Sequence, residues 1–118
     1  MAWALGVTVQ FAEWYLSLNA REQGSVRYSL ALLAEAGPTL GRPHVDTVRA
    51  SRYTNMKELR TQHGGRPSRL LFAFDTARTA VLLIGGDKTG DPRWYDRMIP
   101  IADRLFGEHL ARLKDTER

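Results

Sequence analysis

An α+β fold is predicted for this chain, and three observations predict it. Two helical segments near the N-terminus are joined by a very short link, two strongly apolar strand-like runs follow with a turn between them, and a long amphipathic helix closes the chain. Trp3, Leu5, Val7 and Val9 alternate at period two, so residues 3–9 read as a short strand. Phe11–Leu18 reads as a short helix, and Asn19-Ala-Arg-Glu22 as the cap that opens a second one. Gly37-Pro38 ends that helix near Ala36. Val26, Leu30, Leu33 and Ala34 keep helical spacing, so one face packs on a sheet and the two helices form an antiparallel hairpin. Val45–Val48 is a weak strand candidate and Asn55–Arg60 a better one. His63-Gly64-Gly65-Arg66-Pro67 is a turn by composition. Ser68–Asp75 and Ala80–Ile84 are strong strands joined by a hairpin loop at 75–79. Gly85–Pro92 reads as a glycine-rich exit loop. The last helix spans Arg93–Lys114 with Ile99, Ala102, Phe106, Leu110 and Leu113 on one face.

A length of 118 residues predicts one domain, residues 1–118, and 43% hydrophobic residues is ordinary globular composition. No apolar run approaches the roughly 20 residues of a membrane span, and Met1-Ala2-Trp3-Ala4 lacks a signal-peptide layout. With no cysteine there are no disulfides, thiolate metal sites or cysteine nucleophiles, which fits a reducing cytoplasm. The net charge of +4 is unevenly placed. Between Arg42 and Arg69 stand seven bases (Arg42, Arg49, Arg52, Lys57, Arg60, Arg66, Arg69) against two acids (Asp46, Glu58), a local +5 that leaves −1 for the rest. Such clustering suits a polyanion partner, because each neutralised phosphate releases counterions. The 14 arginines against 3 lysines favour bidentate phosphate contacts. Codon usage in a GC-rich genome accounts equally for that ratio, though not for the clustering.

Period two also sets which side chains share a face. Leu70, Phe72 and Phe74 are expected to be buried, which turns Arg69 outward with Leu71 and Ala73. With Leu59 inward, Glu58 and Arg60 point the other way. Pairing across Gly64-Gly65 then sets Arg60 and Arg69 on one open face, and Lys88 arrives from the next loop to complete an anion site. The same spacing is compatible with ordinary surface pairs, Glu58–Arg60 and Asp75–Arg78, of small energetic weight.

The runs Met56-Lys-Glu-Leu-Arg60, Gly65-Arg-Pro-Ser-Arg-Leu-Leu-Phe-Ala-Phe-Asp75 and Leu82-Leu-Ile-Gly-Gly-Asp-Lys-Thr-Gly90 occur in order. Together with Trp94-Tyr95, Ile99-Pro-Ile-Ala-Asp-Arg-Leu105 and Leu40-Gly-Arg-Pro43, they resemble the phage-derived, HigB-like branch of the RelE/ParE toxin superfamily over nearly the whole chain. The resemblance implies a small, twisted, mostly antiparallel sheet with an N-terminal helical hairpin and a C-terminal helix, the RelE-like fold. It implies the toxin of a type II toxin–antitoxin pair, an endoribonuclease that cuts mRNA on the ribosome without metal or other cofactor. It implies as partners a HigA-like helix-turn-helix antitoxin, the ribosome and mRNA, with no membrane.

Metal-free RNA cleavage needs a base for the 2′-OH, cations for the phosphorane and an acid for the leaving oxygen. Carried onto matching positions, the resemblance suggests Arg60, Arg69 and Lys88 as the catalytic core, with Tyr95 stacking on a base or moving a proton. His63, in the turn next to Arg60, is a further acid/base candidate, whereas His109 lies beside the apolar stripe and reads as structural. Arg42, Arg49, Arg52, Lys57 and Arg66 are expected to touch the RNA or ribosome backbone. Unlike some HigB-like relatives, this chain has no histidine adjoining an Asp-Tyr pair near its C-terminus. A ParE-like gyrase inhibitor and a non-catalytic nucleic-acid-binding member of the superfamily remain the alternative readings.

Overall fold

Local chemistry in the sequence fixes the ends of most elements. A computed structural model of the chain describes residues 2–116, less the side chains of Gln62 and His63. The elements run β1 (Ala4–Val7), α1 (Val9–Ser17), α2 (Ala20–Ala36), β2 (Val45–Thr47), β3 (Met56–His63), β4 (Arg66–Phe74), β5 (Thr79–Asp87) and α3 (Trp94–Thr116), with a 3-10 turn at Gly37–Thr39. The sheet order is β1-β5-β4-β3-β2, with β1 parallel to β5 and the other pairs antiparallel. The fold is therefore α+β, with the expected helical hairpin, mostly antiparallel sheet and closing helix. Asn19 and Glu22 form the expected reciprocal cap of α2, with bonds of 2.8 and 3.0 Å. Gly64 and Gly65 both take positive φ (60° and 77°), which a two-residue hairpin requires and glycine permits.

Two expectations are corrected. Strand β5 continues through Gly85, Gly86 and Asp87, residues the sequence assigned to an exit loop. These glycines are needed for packing and not for a turn: a Cβ on Gly85 would overlap the Trp14 indole, and one on Gly86 would come within 2.6 Å of Trp94 Nε1. The face carrying Leu71 and Ala73, expected to be open, is covered by α3, and both residues are fully buried. An uninterrupted apolar run such as Leu70–Phe74 marks a strand buried on both sides. One core, under α1 and α2, holds Phe11, Val26, Leu33, Leu59, Leu70 and Phe72. The other, under α3, holds Met56, Leu71, Leu83, Ile99, Ala102 and Phe106.

Alternation sends Ala80 and Leu82 of β5 to one core and Val81 and Leu83 to the other, and a β-bulge then lets Ile84 follow Leu83 onto the α3 side. Leu71 pairs with Ile84 and Phe72 with Leu82, so Leu83 is the extra residue. Its carbonyl is satisfied by the Thr8 hydroxyl at 2.5 Å, while the same hydroxyl oxygen accepts the Phe11 N–H at 2.9 Å and caps α1. One side chain thereby locks the start of α1 to the irregular point of the sheet.

The far end of α3 is held to the β4–β5 loop by His109, whose Nε2 lies 2.8 Å from Asp75 Oδ2 and whose ring stacks on Phe106. This is the structural role expected of His109. Burial pushes the Asp75 carboxyl upward, but hydrogen bonds from His109, Thr79 N–H and Ala77 N–H outweigh it and hold Asp75 below its ordinary value of 3.8. A depressed carboxylate contributes stability above its unfolded value and loses it as pH falls through the folded one. Asp75→Asn should therefore cost about 1–2 kcal/mol at neutral pH. That gap to wild type should close on acidification below pH 3.8, as read by urea unfolding across a pH series. A pH-independent gap would mean that Asp75 acts through shape alone.

Candidate active site

The β3–β4 register sets Arg60 directly opposite Arg69. Like charges so placed repel, and the buried carboxylate of Glu58 on β3 answers both. Its Oε1 accepts from Arg60 Nε at 3.1 Å and lies 3.3 Å from Arg69 Nε. The second contact is an ion pair without hydrogen-bond alignment, and Arg69 Nε is buried with no hydrogen-bond partner among the described residues. Arg69 Nη1 donates to the Ser68 carbonyl at 3.0 Å. The side chain of Arg69 is only 15% exposed, so the expectation of an outward arginine is corrected: α3 covers that part of the face. Arg60 is more open, at 37%, and also reaches Asp46 at 3.1 Å.

Tyr95, the second residue of α3, donates its hydroxyl to the same Glu58 oxygen at 3.1 Å. It arrives there because Gly86, paired with Arg69, leaves room for the Trp94 indole against the sheet. Burial, together with the hydrogen bond to and negative charge of Glu58, holds the Tyr95 phenol above its ordinary value of 10.0, with Arg69 opposing. Tyr95 is therefore a neutral phenol at physiological pH. The Lys88 ammonium lies 5.7 Å from the centre of the Tyr95 ring, and its backbone N–H is fixed to the Pro67 carbonyl at 3.0 Å. Among the described residues Lys88 forms no ion pair. Arg60, Arg69 and Lys88, with Arg42 beyond them, are set against the carboxylates of Glu58 and Asp46, so four cations face two acids and two positive charges stay unbalanced, an arrangement that favours a phosphate.

The four residues expected to form the core, Arg60, Arg69, Lys88 and Tyr95, are brought together. Glu58, which accepts from Arg60 and Tyr95 and forms an ion pair with Arg69, is the residue that sequence reasoning missed. Strand alternation placed it on the side of Arg60, and an acid inside a basic run was the available signal. The His63 side chain lies outside the described residues. The outer bases do not share one face. Arg42 adjoins the cluster through Asp46, at 2.9 Å. Arg49 is exposed in the β2–β3 loop. Arg52 stacks over Tyr53 at 5.5 Å, beside α3. Lys57 and Arg66 alternate onto the opposite face, where Lys57 bonds Thr47 at 2.9 Å and Arg66 stands near Trp14 and Leu18. The clustering of bases in sequence spreads around the sheet because successive strand residues point to opposite sides.

The family model of phage-derived Gp49-like proteins matches residues 13–107. HigB3 of Mycobacterium tuberculosis, a toxin by name, is 53% identical over 103 residues, covering 86% of this chain and 89% of that protein. HigB2 of the same organism, also a toxin by name, is 46% identical over 110 residues; they cover 92% of this chain and 55% of HigB2, about half its length. Among solved structures, a substituted E. coli toxin RelE in the free state superposes with a TM-score of 0.59 at 11% identity, covering 77% of this chain and 88% of that one. A chain of the RelBE2 toxin–antitoxin complex from Mycobacterium tuberculosis gives 0.56 at 16% identity, covering 74% and 99%. At such identities the likeness is one of fold. No helix among the described residues is long and apolar enough to cross a membrane. From the match over residues 13–107, the chain belongs to the phage-derived Gp49-like family, and HigB3 is its relative at 53% identity.

Proposed function

We propose that this chain is the toxin of a type II toxin–antitoxin pair, of RelE/HigB type, and that it cuts mRNA on the ribosome as a metal-independent endoribonuclease. The observation that carries the reading is the gathering of Arg60, Arg69, Lys88 and Tyr95 around the buried Glu58 carboxylate. The names of HigB3 and HigB2 support the toxin class, and the RelBE2 complex supports a partner antitoxin, here of helix-turn-helix type. In the reaction, the 2′-oxygen attacks the adjacent phosphorus, the P–O5′ bond breaks, and the products are a 2′,3′-cyclic phosphate and a 5′-hydroxyl. The 2′-OH proton passes to the Tyr95 oxygen as Tyr95 gives its own proton to Glu58, the one carboxylate it touches. This relay spares the enzyme a free phenolate, which the raised pKa of Tyr95 disfavours. Arg60 and Arg69 stabilise the charge on the phosphorane, and the Lys88 ammonium protonates the departing 5′-oxygen.

Induction of the chain followed by mapping of RNA 5′ ends tests the reading. New 5′-hydroxyl ends within translated mRNA, formed also in the presence of a chelator in vitro, are expected. Growth arrest without new ends, accompanied by gyrase inhibition, would instead establish the ParE-like alternative. Purified protein should cut naked RNA poorly and much faster when translating ribosomes are supplied, because so small a site relies on outside positioning of the message. Arg69→Ala should reduce cleavage about 100- to 1,000-fold, with circular dichroism verifying the fold; undiminished cutting would remove Arg69 from the site. Glu58→Gln should lower the ultraviolet titration midpoint of Tyr95, assigned by its loss in Tyr95→Phe, since it removes the neighbouring negative charge. An unmoved midpoint would break the proposed link between these two residues.

A further inference from the structure

A groove of about 500 Å³ runs between α2 and the end of β3, and no carboxylate lines it. This lies in the ~300–1,000 Å³ range of small-molecule sites. Arg21, Gly24, Ser25 and Tyr28 form its helical wall, at the i, i+3, i+4, i+7 spacing that puts them on one face of α2. Arg60 and Thr61 form the other wall, at the point where β2 stops covering β3. Arg60 lines the groove at the free edge of β3 while its guanidinium pairs with Glu58 on the α3 face of the sheet, so a strand lying in the groove reaches the candidate active site by passing round that edge.

Three features of this wall have no structural explanation. Tyr28 is 66% exposed, so its ring contributes little to the core. Arg21 is exposed and forms no ion pair among the described residues. Gly24 sits inside a helix, where only proline is a poorer former, and packing does not demand it: the nearest neighbour to a Cβ there would be the tip of Arg27 at 3.8 Å. A bare helical backbone between a free arginine and an exposed aromatic ring leaves room for a flat ligand carrying negative charge.

We propose that this groove holds a nucleotide of single-stranded RNA next to the phosphate attacked at the Glu58 cluster, its base stacked on Tyr28 and its phosphate paired with Arg21. The inference rests on the reading of the chain as a ribonuclease and names how the substrate strand is gripped. A groove that tracks the backbone with cations and stacks bases on aromatic rings is a general solution for single strands, tolerant of sequence.

The test uses the full chain and a fluorescent, uniformly 2′-O-methylated RNA octamer, which has no 2′-OH and is not cut, with affinity read by anisotropy at several salt concentrations. Tyr28→Ala is expected to weaken binding about tenfold, and Tyr28→Phe to keep wild-type affinity because the stacking face survives. Arg21→Ala should weaken binding and reduce the salt slope by about one contact. Gly24→Leu should raise the melting temperature through helix propensity and yet weaken binding by filling the groove; a merely structural wall would show the first effect alone. Unchanged affinity in Tyr28→Ala and Gly24→Leu overturns the proposal. So does an unchanged RNA affinity joined to loss of pairing with a co-expressed antitoxin, which would make the groove a protein-docking site. If the wild type binds the octamer through Tyr28 but cuts no RNA, free or ribosome-bound, the ribonuclease reading fails while the groove stands. Cutting that proceeds with Tyr28-independent binding has the reverse meaning.

Discussion

Two arginines held face to face across an antiparallel pair would normally weaken a small sheet, and here they stand where α3 begins to close over them. The carboxylate of Glu58 makes this placement tolerable. It is almost wholly buried, and a charge so placed is costly unless it is paired and hydrogen-bonded. Arg60, Arg69 and Tyr95 supply that pairing from two strands and a helix. The dependence is mutual: the arginines need the acid to sit together, and the acid needs them to be buried at all. Because the surrounding cations outnumber the acid, the balance still falls short of neutrality, and the remaining demand for negative charge is what a phosphate can meet.

Much of the fold was legible in the sequence because it is written in local terms. The Asn19–Glu22 cap, the Gly37-Pro38 stop and the Gly64-Gly65 turn each fix an end or a reversal within a few residues. The turn also fixed the register, and through it the pairing of Arg60 with Arg69. The readings that failed concern contacts between distant segments. Gly85 and Gly86 look like loop residues until Trp14 and Trp94 are seen to need their missing side chains. Leu71 and Ala73 look solvent-facing until α3 lies over them.

The same reasoning explains what was read of the site. Alternation put Arg60 and Arg69 on one face, the loop after the neighbouring strand brought Lys88 to them, and the resemblance added Tyr95. Alternation sets Glu58 on the correct face but leaves open whether it is a surface partner of Arg60, since its burial depends on where α3 starts. That start is decided by Trp94 against Gly86, a fit between residues that no periodicity reports. The basic run from Arg42 to Arg69 shows the opposite error: charges dense along the chain are separated by a sheet that sends neighbours to opposite sides.

The parallel edge strand has a consequence for the order in which the molecule assembles. Every other strand pair joins segments close in sequence, whereas Ala4 of β1 pairs with Thr79 of β5, 75 positions later. Closing that loop is the most expensive entropic step in the sheet. During synthesis at roughly 5–20 residues per second, β1 is made first and waits roughly 4–15 s for its partner to be polymerised. Leu5 and Val7 have no strand to pair with in that interval, and even in the finished protein they stay on an uncovered edge, 37% and 62% exposed. The first strand of the sheet to be made is thus the last to be placed, and the nascent sheet spends that delay with an adhesive strand unpaired.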